Sequence, residues 1–215
     1  MTDRDRYPGY DVLAKRHSLS WNDATRKAMD ARLGVPREPR FLSQAEWATL
    51  VAICERIVPQ PTSRPPVPLA GYIDQKLNDD ARSGFRNAAL PPQREAWKKG
   101  LAAFEAEARL RHDMSFHCLD GERQDELLRC AEAGRSDASA WDGMEASLFF
   151  SEHVMNDIIA AYYAHPTSWN EIGFGGPAGP RGYVRMRRNR RDPWEPVEAG
   201  SGDEARVRRE NMRVR

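Results

Sequence analysis

The first sustained hydrophobic pattern in the chain begins at residue 43. Ser43-Gln44-Ala45-Glu46 has the form of a capping box. In that arrangement the serine hydroxyl covers a free helix amide and the glutamate reaches back to the serine amide. Trp47, Leu50, Val51, Cys54, Ile57 and Val58 follow at helical spacing on one broad face. Pro59-Gln60-Pro61 ends the run, and five prolines between residues 59 and 68 dictate a non-helical connector. Leu69, Tyr72, Ile73 and Leu77 make a second, shorter stripe. Pro91 and Pro92 suit the first turn of a third helix, with Trp97, Leu101, Phe104 and Ala108 on its core face. A fourth helix starts at Asp120, carries Leu127, Leu128 and Ala131, and stops at Gly134, before a polar loop to Asp142. The fifth runs from Met144 to Ala164, where Pro166 stops it. Its apolar residues, Leu148, Phe149, Met155, Ile158, Ile159, Tyr162 and Tyr163, cover more than one face, which predicts the most buried helix of the set. No segment alternates with the two-residue period of a strand. The pattern predicts an all-α fold: an irregular bundle of about five helices over residues 41–166, with extended N-terminal and C-terminal arms.

The flanks differ from the bundle. Residues 1–40 hold nine basic and six acidic residues but few large apolar ones. Ser20-Trp21-Asn22-Asp23 predicts the cap of a short helix to Leu33, with Gly34 as its stop, and Pro36 and Pro39 predict an extended linker. Residues 1–40 therefore read as an arm. Residues 167–183 form a closing segment rich in Gly and Pro. Residues 184–215 form a basic tail: from Arg181 onward there are 11 basic and 6 acidic residues, against 22 and 26 in residues 1–180. The whole chain, 215 residues long, carries a net charge of only +1, so whole-chain steering toward a polyanion is not indicated. Its mean hydropathy of −0.75 is polar for a stand-alone globule, so either the core is small or a partner finishes part of the surface.

Cys54, Cys118 and Cys130 are odd in number and lack a CxxC spacing. That argues against a disulfide scaffold, fits a reducing compartment and makes the three thiols small apolar core residues. No apolar stretch follows the N-terminal Met1-Thr-Asp-Arg-Asp-Arg, so a cytoplasmic location without a signal peptide is expected. The most apolar run, residues 146–163, is broken by Glu152, His153, Asn156 and Asp157, which argues against a membrane span.

No catalytic constellation emerges. The residues three before the five histidines are Ala14, Arg109, Met114, Phe150 and Tyr162, none acidic, so the Glu-x-x-His pattern of di-metal bundles is missing. Gly173-Phe174-Gly175-Gly176-Pro177-Ala178 spells a dinucleotide fingerprint variant, but the pattern before it is helical where a strand is needed. Glu145 and Glu152 flank apolar positions on the fifth helix and are the best candidates for a buried carboxylate pair. Tyr183-Val-Arg-Met-Arg-Arg-Asn-Arg-Arg interleaves arginines with possible base-stacking side chains. A helical nucleic-acid-binding protein using this tail is the alternative reading. The returning negative charge of Asp192-Pro-Trp-Glu-Pro, with Trp194, suits docking on an acidic protein surface instead. Trp21, Trp169, Phe174, Tyr183 and Trp194 all lie outside the expected bundle core, and aromatics and arginine dominate interfaces. The candidate partner-binding residues are Trp169, Phe174, Tyr183, Arg185, Arg187, Arg188 and Trp194.

The order of features resembles a known family, the gluconate 2-dehydrogenase subunit 3 proteins. The matching pieces begin with Phe41-Leu-Ser-Gln-Ala-Glu-Trp, opening a helix that ends Ile57-Val58-Pro59. Tyr72-Ile73-Asp74 with Leu77, Gly100-Leu101 with Phe104, and Phe116 and Leu119 before Gln124 and Leu127-Leu128 come next. Phe149-Phe150, Tyr162-Tyr163, Pro166, Trp169, Ile172-Gly173-Phe174 and Gly176 complete the set, which spans residues 41–183. The resemblance implies a non-catalytic small subunit without a cofactor of its own. Its partner would be a large glucose–methanol–choline-type flavoprotein, forming a hetero-oligomer in which the partner's FAD oxidises a sugar, sugar acid or glycoside. The small subunit would support folding, stability or export of the large one. Many family members carry a twin-arginine export signal; here Arg187-Arg188 and Arg190-Arg191 lie near the C-terminus with no apolar region behind them, so a cytoplasmic complex is expected.

Overall fold

The computed structural model describes residues 5–62, 64–81, 84, 87–178, 182 and 191–214. Among these are nine α-helical segments and no strand. They are Asp23–Leu33 (α1), Gln44–Ile57 (α2), Leu69–Asn78 (α3), Gln93–His112 (α4), Gly121–Glu132 (α5), Ala146–Phe149 (α6), Asn156–Ala164 (α7), Pro166–Ile172 (α8) and Glu204–Asn211 (α9). The fold is all-α, with more helical segments than the five read from periodicity. Short 3₁₀ turns at Val12–His17 and Phe116–Cys118, and a π turn at Phe150–Met155, complete the order.

The chain divides into two compact units: Val35–Tyr162, and Met1–Gly34 with Tyr163–Arg215. The first holds α2 to α6 and most of α7. Its entry is built as the capping box requires: the Ser43 N–H donates to Glu46 Oε2 at 2.8 Å and the Glu46 N–H to Ser43 Oγ at 3.3 Å. A second device fixes the approach to α2. Asp74, buried on α3, accepts from the backbone N–H groups of Arg40 at 2.7 Å, Phe41 at 3.2 Å and Leu42 at 2.9 Å. Three amides ahead of a helix start have no intrahelical acceptor, and this one carboxylate supplies it.

Most predicted stripe positions face inward, but Tyr72 and, at α2, Trp47, Val51, Ile57 and Val58 are only half-buried, and the α2 core line takes in Ile53, which the pattern did not single out. Leu50 and Ile53 of α2, Ile73 and Leu77 of α3, Leu127 and Ala131 of α5, and all four predicted positions of α4 are buried. Gly100 lets α4 approach the long helix so closely that a Cβ there would lie 2.2 Å from the Phe149 ring. Phe149 meets Trp97 edge-on at 5.4 Å and Trp141 at 5.9 Å, which centres the core on an aromatic cluster. Trp141, in the segment read as a polar loop, is buried and donates from Nε1 to Glu107 Oε1 at 2.6 Å; Glu107 also pairs with Arg111 at 3.0 Å.

The expected fifth helix is α6, the π turn and α7 run together, because Phe149, Phe150 and Asn156 all keep right-handed helical backbone angles. Its burial is narrower than expected. Ile158 is inaccessible, but Ile159 is 41% exposed and Tyr163 is also exposed. Successive helical residues point about 100° apart, so only one of the adjacent isoleucines can face the core. Glu145 and Glu152 are exposed rather than buried as a pair. Cys54 is buried as expected, whereas Cys118 is exposed and Cys130 half-buried.

The second unit has its own core, made of Tyr10, Val12, Trp21, Met29, Trp169 and Val214. Residues expected to form an arm thus pack against residues from the far end of the chain. α1 forms as the sequence predicted, with Asn22 Oδ1 accepting from the Thr25 N–H at 2.9 Å and Gly34 as the C-cap. α9 is tied down through buried Asn211, whose Nδ2 donates to the carbonyls of Pro8 at 3.1 Å and Val197 at 3.0 Å, and whose Oδ1 accepts from the Val197 N–H at 2.7 Å.

Candidate partner interface

The segment singled out for partner binding is more ordered than its Gly and Pro content suggested. Pro166 opens α8 from the first helical position, where its missing N–H is harmless. His165 caps it, Nδ1 accepting from the Thr167 N–H at 3.3 Å. Gly173 closes it with φ +65°, and a Cβ there would lie 2.4 Å from the Tyr7 ring, so both conformation and space require glycine.

α8 turns Trp169 into the second core. The indole is 3% exposed and donates from Nε1 to the Tyr163 carbonyl at 2.6 Å. The Arg32 guanidinium lies 5.5 Å from its ring and donates to the Ala164 carbonyl at 2.9 Å. Trp169 is therefore not a surface anchor, and neither is Trp21, which is buried in the same cluster. Phe174 meets Trp169 edge-on at 5.2 Å yet stays 41% exposed, so it alone of the two can meet another protein. Trp194 is half-buried. Tyr183, Arg185, Arg187 and Arg188 lie outside the described residues.

Lys15 is the residue that sequence reasoning missed. It is fully buried, and its ammonium donates to the carbonyls of Gly175 at 2.8 Å and Trp194 at 2.7 Å, with the Tyr10 ring centroid 5.6 Å away. A buried charge is tolerated only with such partners. The same contacts tie three distant parts of the chain together: the N-terminal 3₁₀ turn, the Gly-rich segment and Trp194 near the C-terminal end. Tyr10 adds a bond from its hydroxyl to the Phe174 carbonyl at 3.1 Å, and burial pushes that hydroxyl's pKa well above its usual value. Nothing in the pattern around Lys15 distinguishes it from a solvated lysine.

The other cluster of ionisable groups lies in the bundle unit. Asp157, nearly buried on α7, accepts from Lys76 Nζ at 2.8 Å, Gln93 Nε2 at 3.1 Å and Trp97 Nε1 at 2.9 Å, with His153 Nδ1 at 3.8 Å. A carboxylate holding three donors across α3, α4 and α7 is bound as a structural strut rather than poised as a base. Burial, with Lys76 adding to it, holds His153 below its ordinary pKa against the opposing pull of Asp157 and Glu152. Among the described residues no group of three or more His, Cys, Asp or Glu side chains is arranged to hold a metal ion, and no helix is long and apolar enough to cross a membrane. The Gly173–Ala178 fingerprint follows α8, a helix, so it lacks the strand that a dinucleotide turn requires.

The family model for gluconate 2-dehydrogenase subunit 3 matches residues 44–176, most of the chain. The chain belongs to that family. No curated protein and no solved structure matches it. The subunit 3 match takes in α2 through α8 and ends at Gly176, so it covers the bundle, Trp169 and Phe174. Lys15, Tyr10, Trp21, Trp194 and α9 lie outside it. The second unit therefore sets the family's closing helix, α8, among flanking residues that the family pattern does not include. Membership makes the chain an accessory subunit in a dehydrogenase complex.

Proposed function

We propose that this subunit binds and stabilises a large glucose–methanol–choline-type flavoprotein dehydrogenase and performs no redox step itself. The single observation that carries the reading is the subunit 3 match over residues 44–176. Two features support it. The buried carboxylates Asp74 and Asp157 each accept from three donors and serve packing. The polar composition, with a mean hydropathy of −0.75, suits a protein that completes its surface against a partner. On this reading FAD sits in the partner, whose substrate is a sugar, sugar acid or glycoside alcohol. Assembly takes place in the cytoplasm, and the small subunit assists maturation of the large one. Exposed Phe174 and the arginines of residues 181–191 contribute to the contact. The test is expression of the large subunit with and without this chain. The proposal expects more soluble, flavin-loaded, active enzyme in its presence. Equal yield and activity without it would overturn the maturation role.

A further inference from the structure

Resting on that reading, we infer that a groove between α2 and the proline-rich connector receives an extended apolar segment of the catalytic partner bearing one carboxylate. The groove encloses about 780 Å³ within the bundle unit. That is within the range of ligand-sized sites, roughly 300–1,000 Å³. One wall is the outward side of α2, with Trp47, Val51 and Val58; the other is the connector, with Pro61 and Val67; the first turn of α3 closes the end.

The groove is pre-formed although its connector wall has no regular secondary structure. Gln60 grips that wall in both directions, Oε1 accepting from the Val67 N–H at 2.6 Å and Nε2 donating to the Val67 carbonyl at 3.0 Å. At the α3 end the backbone crosses Gly71 so tightly that a Cβ there would lie 2.0 Å from the Pro36 carbonyl oxygen. This crossing delivers Arg37 to the rim, where Nη2 donates to the Pro66 carbonyl at 2.7 Å. A rigid site loses little ordering entropy when it is filled.

The chemistry of the walls selects the occupant. Prolines have no N–H, so the connector cannot offer the regular ladder that an added β-strand needs. Recognition must come from apolar contact and from side-chain charge. Arg37 is exposed, and no carboxylate of the described residues pairs with it. Glu55 on the α2 wall and Arg64 on the connector also line the groove and offset each other in charge, which leaves the single positive charge of Arg37, so one carboxylate matches the groove and a polyanion does not. The Arg-rich stretch 181–191 of this chain has the wrong sign for Arg37.

The test is capture of the co-expressed large subunit by tagged wild-type chain and by three variants. In Arg37→Glu the exposed rim charge is reversed, in Val51→Glu the wall is made polar, and Leu110→Glu alters an exposed leucine of α4 away from the groove. Association rates are measured at low and high salt, and each variant's melting is measured alone. The inference expects Arg37→Glu to melt like wild type, to associate on the order of tenfold more slowly at low salt and to lose most of the salt dependence. Val51→Glu should lose capture, and Leu110→Glu should behave as wild type. Wild-type rates for a normally melting Arg37→Glu would overturn the groove while leaving the accessory-subunit reading intact. A groove variant that changes only the chain's own oligomeric state would also overturn it, by making a second copy the occupant. Failure of the wild-type chain to bind the large subunit would overturn the underlying reading itself.

Discussion

Gly100→Ala sets two effects of opposite sign against each other. In an exposed helix interior, Gly→Ala stabilises by about 1 kcal/mol. At Gly100 the new methyl would lie 2.2 Å, 2.3 Å and 2.8 Å from three atoms of the Phe149 ring. Ordinary contact begins near 3.4 Å, so the ring or the helix must move by more than about 1 Å. Phe149 is fully buried and has nowhere easy to go: Trp97, Trp141 and His153 surround its ring at 5.4, 5.9 and 5.7 Å. Displacing Trp97 would also strain its bond to Asp157. Overpacking of this kind costs about 1–3 kcal/mol, and the confinement puts it at the upper end. The net expectation is destabilisation by about 2 kcal/mol, or a melting temperature lower by about 4–8 °C for a chain of this size. Thermal melting by circular dichroism is the assay, repeated in a Phe149→Leu background. There the smaller side chain should relieve the clash and give a coupling energy of about 1–2 kcal/mol. A Gly100→Ala protein that melts above wild type, or that loses the same stability in both backgrounds, would refute the argument.

The adjacent isoleucines of α7 should behave differently: Ile158→Ala should cost about 2–5 kcal/mol in denaturant unfolding, whereas Ile159→Ala should stay within about 0.5 kcal/mol of wild type. Similar losses at both positions would contradict the observed face. Because burial lowers the His153 pKa, the unfolded chain takes up a proton near pH 6.5 that the folded chain resists. Stability should therefore fall as pH drops below about 6.5, and His153→Gln should reduce that slope; an unchanged slope in urea titrations would exclude His153 as its source. Lys15→Met keeps most of the side-chain volume but removes the donor to Gly175 and Trp194. It should destabilise the second unit by about 1–3 kcal/mol and speed amide exchange around residues 192–199; unaltered exchange there would show that the lysine is no clamp.

Periodicity placed the helices of the bundle because each buries one stripe, although on α2 it did not separate the buried line of Leu50, Ile53 and Cys54 from half-buried Trp47 and Val51. The capping box at Ser43, the Trp97–Leu101–Phe104–Ala108 face and the Asn22-capped α1 were all legible for that reason. Trp141 was not, since a single buried aromatic in a polar loop has no period and is held by one bond to Glu107. The second core was also hidden. Its members come from residues 10–29, from Trp169 and from Val214, and no local pattern links positions so far apart in sequence. Lys15 shows the same limit, because its partners are backbone carbonyls 160 and 179 residues away. For Trp169 and Phe174 the local pattern carries no signal of which way each ring points. Trp169 and Phe174 are five residues apart on either side of the Gly173 turn; one points into the core and the other keeps an exposed edge.

The proposed role of this chain is that of an accessory subunit that partners a flavoprotein dehydrogenase. The most direct measurement is co-expression of the tagged chain with the large subunit, followed by size-exclusion chromatography of the captured protein, with absorbance spectra and sugar-dependent dye reduction read on each peak. The account predicts one yellow, active peak containing both chains, and a colourless, inactive peak for the small chain expressed by itself. A small chain that elutes apart from the flavoprotein, or that reduces the dye when purified alone, would contradict it.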